Sequence, residues 1–137
     1  MPRITAILET VLYVADLPRA DTFYRDVIGL PVLHADARMR AFDVAGHGVL
    51  LLFEEGATTQ TVEVPGGVIP PHDGSGPAHI AFSIPLDDLQ DWRDHLARHG
   101  IEIEGTTDWP RGGHSLYFRD PDDHLLELAT PGLWNGY

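Results

Sequence analysis

One pattern occurs twice in this chain and constrains the fold more than any other feature. When the two halves are laid together, Glu9–Val14 falls on His79–Ile84, Phe23 falls near Trp92, and Gly29 falls on Gly100. Leu50-Leu51-Leu52 then falls on Leu126-Glu127-Leu128. A repeat of this kind defines the folding unit before any single element is assigned. In the first copy, Ile7–Val14 is rich in β-branched and aromatic residues and reads as a strand. Asp16 is placed to cap a helix with Pro18 in its first turn. Ala20, Phe23, Tyr24, Val27 and Ile28 follow at helical spacing, and Gly29 suits the stop. Pro31–His34, Met39–Val44 and Val49–Phe53 read as three short strands. The second copy repeats the order. His79–Ile84 is a strand, and Pro85–His99 is a helix with Leu89, Trp92 and Leu96 on one face. Ile101–Thr107, His114–Arg119 and Leu125–Ala129 are strands.

Each copy alone would be a small open sheet with one helix and an exposed apolar face, and pairing two copies buries that face. The sequence therefore predicts an α+β fold of two βαβββ modules, forming a curled mixed β-sheet around one site. A single domain would run from about residue 5 to 133, with module one at about 5–53 and module two at about 78–133. Residues 54–77, with Pro65-Gly66-Gly67 and Pro70-Pro71, read as a long connection that is either functional or a linker.

Composition removes several function classes. The net charge is −12 and all nine basic residues are Arg, a field that repels phosphate backbones and anionic membrane surfaces. Nucleic acid and membrane are therefore not expected partners. With no lysine, side-chain Schiff-base chemistry and a P-loop lysine are excluded. With no cysteine, disulfides, thiolate nucleophiles and cysteine-ligated metal clusters are excluded. There is no basic segment followed by an apolar one at the start, and the longest apolar run, Val49–Phe53, is far too short to span a bilayer. A cytoplasmic location is the expectation.

Several local motifs add specificity. They are Tyr13-Val14-Ala15-Asp16-Leu17, Phe23-Tyr24-Arg25-Asp26 with Gly29-Leu30, His79-Ile80-Ala81-Phe82, Tyr117-Phe118-Arg119-Asp120-Pro121 and Leu126-Glu127-Leu128. Together they resemble the vicinal-oxygen-chelate superfamily, which includes glyoxalase I, extradiol dioxygenases, fosfomycin-resistance proteins and bleomycin-binding proteins. The resemblance implies a small-molecule substrate. It does not single out a reaction, because this fold hosts many.

The resemblance also implies a ligand set. In the family, metal ligands come from the first and last strands of a module. Here those positions hold Glu9 in place of the usual His, His79, and Glu127, whereas Leu51 at the fourth position cannot bind metal. Strand alternation places Glu9 with Tyr13, His79 with Ala81, and Glu127 with Leu125 and Ala129 on one side of their strands. One imidazole and two carboxylates favour Mn²⁺, Fe²⁺, Mg²⁺ or Ni²⁺ somewhat, with Zn²⁺ still open, and lower the expectation of O₂ activation. Glyoxalases suggest that Glu9 or Glu127 acts as a base. In extradiol dioxygenases a Tyr at the spacing of Tyr117 hydrogen-bonds the substrate beside the metal. His72, Arg111 and His114 lie in or beside loops that reach a pocket mouth, where Arg111 suits an anionic substrate. Relatives with two short modules usually dimerise, which implies a homodimer.

Two functions follow. The first is a metal-dependent lyase, isomerase, transferase or dioxygenase acting on a small oxygen-bearing substrate. The second is a metal-free drug- or metabolite-binding resistance protein, with aromatic walls from Tyr13, Phe53, Trp109 and Tyr117. Plainer readings stand beside both. Glu9 reads equally as a solvated strand residue, His79 as a hydrogen-bonded histidine, and Tyr117 as a packing residue. Glu127, between Leu126 and Leu128, needs a partner if it is buried. His34, His47, His95, His99 and His124 read as surface or turn residues.

Overall fold

Alternation along Glu9–Val14 produces the first strand, β1, which begins exposed and ends buried at Leu12, Tyr13 and Val14. The computed structural model describes all residues from Met1 to Tyr137, in two compact units, Met1–Ser75 and Gly76–Tyr137. In the first unit the Asp16 side chain accepts the Arg19 N–H at 2.9 Å and starts helix α1, Leu17–Thr22. The expected single α-helix is corrected here, because Phe23–Ile28 winds as a π-helix. Five-residue winding puts Phe23 and Ile28 over one another and keeps Phe23, Tyr24 and Ile28 all buried. Gly29 closes the turn at φ +82°, donating to the Tyr24 carbonyl.

Three strands follow: β2 (Val32–Ala35), β3 (Met39–Val44) and β4 (Gly48–Glu54). The sheet order is β1-β4-β3-β2, with β1 parallel to β4 and the other pairings antiparallel. Leu12, Val14, Phe42, Leu50 and Leu52 are almost fully buried on one face, and α1 packs on β3 and β4. Each such side chain stabilises by about 1.5–3 kcal/mol relative to exposure. The opposite face gathers Tyr13, Ala41, Leu51 and Phe53, flanked by Val11, Met39 and Val49. Part of the connection is ordered against expectation. Val62–Val64 (β5) and Gly67–Ile69 (β6) pair as a small hairpin around Pro65-Gly66, because valine and isoleucine flank a turn dipeptide.

The second unit repeats the topology. It contains β7 (His79–Ser83), a 3₁₀ turn at Leu86–Asp88 leading into α2 (Leu89–Arg98), β8 (Gly105–Asp108), β9 (His114–Arg119) and β10 (Leu125–Ala129). Its sheet order is β7-β10-β9-β8, with β7 parallel to β10, so β7 takes the place that β1 takes in its own sheet. The strand expected at Ile101–Thr107 starts later, because its ladder with β9 begins only at Gly105, opposite Tyr117. His124 is also corrected. It is 2% exposed, and its Nδ1 accepts the Ala78 N–H at 2.8 Å. That bond pins the residue preceding His79. No helix is long and apolar enough to cross a membrane, which says nothing of β-barrels.

Candidate metal centre

Glu127 is central to the second unit. Its neighbours Leu126 and Leu128 turn into the core, which sends Glu127 to the other face of β10, where it is still only 5% exposed. A buried carboxylate requires partners. Ser115 Oγ donates to Oε2 at 2.5 Å, and the Trp109 indole N–H donates to Ser115 Oγ at 2.8 Å. This relay commits one carboxylate oxygen. The other, Oε1, lies 3.2 Å from His79 Nε2.

The tautomer of His79 follows from its other contact. Nδ1 lies 2.9 Å from the Leu125 carbonyl oxygen, which can only accept, so Nδ1 carries the hydrogen. In the neutral ring Nε2 is therefore a bare lone pair aimed at a carboxylate oxygen. Two acceptors facing each other call for a cation between them, either a proton or a metal. The spacing fits a metal. Donors each about 2.1 Å from one ion are about 3.0 Å apart at a right angle and about 3.4 Å apart at the tetrahedral angle. A backbone carbonyl fixing the imidazole and a hydroxyl fixing the carboxylate are the supports that ligands of a metal ion need.

Tyr117 lies directly opposite Glu127 across β9 and β10 and is half-buried, with its ring passing beside Gly105. Its hydroxyl has no partner within the chain. Trp109, expected as a wall, instead anchors Ser115. Arg111 is exposed in the turn between β8 and β9. His114 falls on the face opposite Ser115 and Tyr117, where its Nδ1 meets Asp108 at 2.6 Å, so it does not join the Glu127 group.

In the first unit Glu9 is exposed at the start of β1, on the same face as Val11 and Tyr13 and without a side-chain partner. Tyr13, Phe53 and His72 do come together. The Tyr13 hydroxyl meets Thr58 Oγ1 at 2.8 Å and also His72 Nδ1, while the His72 and Phe53 rings meet edge-on at 5.4 Å. Thr58 Oγ1 donates to the His72 carbonyl at 2.6 Å, so Tyr13 donates to Thr58 and accepts from His72 Nδ1–H. Gly74 abuts the Tyr13 ring so closely that a Cβ there would lie 2.5 Å from it. No three His, Asp or Glu side chains of the chain group closely enough to hold a metal. Sequence reading missed Ser115 as the partner of Glu127, although its alternation with Tyr117 pointed to that face. Thr58 gave no signal.

Known proteins align with nearly the whole chain. It is 29% identical over 121 residues to the metallothiol transferase FosB of Staphylococcus haemolyticus, covering 88% of this chain and 79% of that protein. It is 31% identical over 126 residues to the glutathione transferase FosA of Serratia marcescens, covering 89% and 78%. The crystal structure of a lactoylglutathione lyase from Agrobacterium tumefaciens superposes with a TM-score of 0.87 at 31% identity, covering 98% of this chain and 99% of that one. Residues 6–128 match the model of the Glyoxalase/Bleomycin resistance protein/Dioxygenase superfamily, and the chain belongs to that family.

Proposed function

We propose that this chain is a divalent-metal-dependent enzyme acting on a small oxygen-bearing substrate, in the cytoplasm, with His79, Glu127 and Glu9 as the metal's protein ligands. One observation carries the reading. A tautomer-fixed imidazole nitrogen faces a buried carboxylate oxygen at 3.2 Å, and each is braced from behind. Two carboxylates and one imidazole suit Mn²⁺, Fe²⁺, Mg²⁺ or Ni²⁺. When bound, such an ion supplies Lewis-acid polarisation of neighbouring substrate oxygens.

The side chains divide the remaining work. Ser115 and Trp109 hold Glu127 so that Oε1 alone is presented. The Leu125 carbonyl holds His79. Tyr117, beside Glu127 and with an uncommitted hydroxyl, donates a hydrogen bond to a substrate oxygen. Glu9, exposed at the start of β1 and without a side-chain partner in its own unit, is the candidate base. Arg111 remains a candidate for an anionic group, and Tyr13, Phe53 and His72 for a substrate-facing wall. The working unit is a homodimer, in which the long connection lets Glu9 come from either chain.

Support comes from three relatives whose names are metallothiol transferase, glutathione transferase and lactoylglutathione lyase. Titration calorimetry of Mn²⁺, Ni²⁺ and Zn²⁺ into stripped wild type and Glu127→Gln tests the reading. Wild type should bind at least one ion at micromolar levels, and the variant should bind it 100-fold or more weakly with the fold retained. Wild-type binding no tighter than about millimolar, roughly −4 kcal/mol, would sink the reading and leave a metal-free binding protein.

A further inference from the structure

The two sheets share one register, so each position in the first has an equivalent in the second. Val11 pairs with Leu51 and Tyr13 with Phe53, as Ala81 pairs with Glu127 and Ser83 with Ala129. On the first sheet Val11, Tyr13 and Phe53 cover this face with large side chains. On the second, the same three places hold Ala81, Ser83 and Ala129. A hollow of about 270 Å³ opens here, lined by these three residues, by Phe82 between two of them, and by Leu133, Trp134 and Tyr137.

The wall is built rather than draped. The Tyr137 hydroxyl donates to the Ala129 carbonyl at 2.6 Å. The Gly132 and Leu133 N–H groups donate to a main-chain oxygen of Tyr137, and the Tyr137 N–H donates to the Trp134 carbonyl. Gly132 sits so tightly on Gly113 that a Cβ there would lie 2.5 Å from the Gly113 nitrogen. Trp134 is 73% exposed at the rim. The hollow adjoins the donor pair, because Ala81 is the direct strand partner of Glu127 and Ala129 lies two residues beyond it on the same face.

We infer that this hollow is the specificity subsite of the proposed metal centre and takes a flat, uncharged aromatic group of a substrate whose vicinal oxygens reach the metal. The inference rests on the metal reading. No charged side chain lines the hollow, and Ser83 offers its only uncommitted side-chain hydroxyl. An enclosed cavity of about 150 Å³ is enough for benzene, so the volume of this open hollow suffices for one ring.

The test uses Ni²⁺-loaded full-length protein and two chelators with the same oxygen pair, acetohydroxamate and benzohydroxamate, each referenced to its affinity for free Ni²⁺. In wild type the aromatic chelator should bind at least tenfold tighter after that correction. The ratio should fall to about two in Trp134→Ala, which removes the wall, and in Ser83→Tyr, which fills the hollow as the first sheet does. If Trp134→Ala misfolds, Ser83→Tyr and the wild-type ratio decide alone. Equal binding of both chelators by wild type overturns the subsite while leaving the metal reading intact. Binding of neither overturns both. A ratio that survives in the variants, with a change in light-scattering mass, assigns the hollow to a subunit interface and overturns the proposal.

Discussion

Replacing Ser115 by Ala tests the support of Glu127 directly. The change removes one hydroxyl, and with it the donor to Glu127 Oε2 and the acceptor of the Trp109 indole N–H. Ser115 is 1% exposed and Glu127 is 5% exposed, so bulk water cannot replace the donor. A hydrogen bond to a charged group contributes about 1.5–3 kcal/mol, and the vacated hydroxyl volume admits at most one water, which sets the expected loss near 2 kcal/mol. Urea denaturation of the stripped protein measures it. The same hydroxyl orients the proposed ligand, and loss of such a support costs about 10–100-fold in metal affinity, or roughly 1.4–2.7 kcal/mol. Calorimetry with Ni²⁺ measures that second quantity independently. The deficit in the metal-loaded protein should therefore exceed the deficit in the stripped protein. A stability change below about 0.5 kcal/mol, together with an affinity change below about threefold, would mean that Ser115 does not hold Glu127, and the relay would be refuted.

Two further outcomes are expected. Gly74→Ala places a Cβ 2.5 Å from a Tyr13 ring that cannot swing away, because its hydroxyl is held by Thr58 and His72. Overpacking should cost about 1–3 kcal/mol in urea denaturation, and a neutral result would show that the His72–Gly74 segment is not seated on Tyr13. The Asp36 carboxyl is held down to about 2 by its hydrogen bond with His34 first, then by the Arg38 and Met39 N–H groups. Its contribution to stability is thus present above the ordinary carboxylate range and lost as pH falls through about 2. A carbon-detected NMR titration should show that midpoint, and His34→Ala should move it upward.

The repeat carried most of the fold in the sequence, because hydrophobic alternation and the glycines at 29 and 100 mark element ends directly. The π-helical turn was not legible. Phe23, Tyr24 and Ile28 satisfy an α-helical pattern as well as a five-residue one, and only the packing of all three decides between them. The hairpin of β5 and β6 was hidden by strands of three residues each, too short for a period to appear. Glu127 was legible as a buried acid in need of a partner. Its partner was not, since Ser115 reaches it through a register between β9 and β10 that no local spacing encodes. His124 was misjudged for a related reason. A histidine in an Asp-rich turn looks solvated, yet its ring turns inward to the Ala78 N–H.

The same register explains why a chain with two copies of one module presents one donor pair rather than two. Around Leu51, the equivalent of Glu127, the first sheet has Met39 where the second has Ser115, and Ala41 where the second has Tyr117. Glu9 stands where the second has His79. A carboxylate placed at Leu51 would therefore enter a face made of Tyr13, Ala41 and Phe53, where the Tyr13 hydroxyl is already committed to Thr58 and His72 and a glutamate stands at the position of His79. Burying a charge unpaired in that setting costs several kcal/mol, so the face stays apolar. A carboxylate that the first module does carry, Glu9, lies at the exposed start of its edge strand, where it incurs no such cost. The two modules keep one topology and diverge at equivalent positions on one face of each sheet. One holds the braced His79–Glu127 pair and a hollow, while the other holds a filled aromatic face with Glu9 exposed at the start of β1.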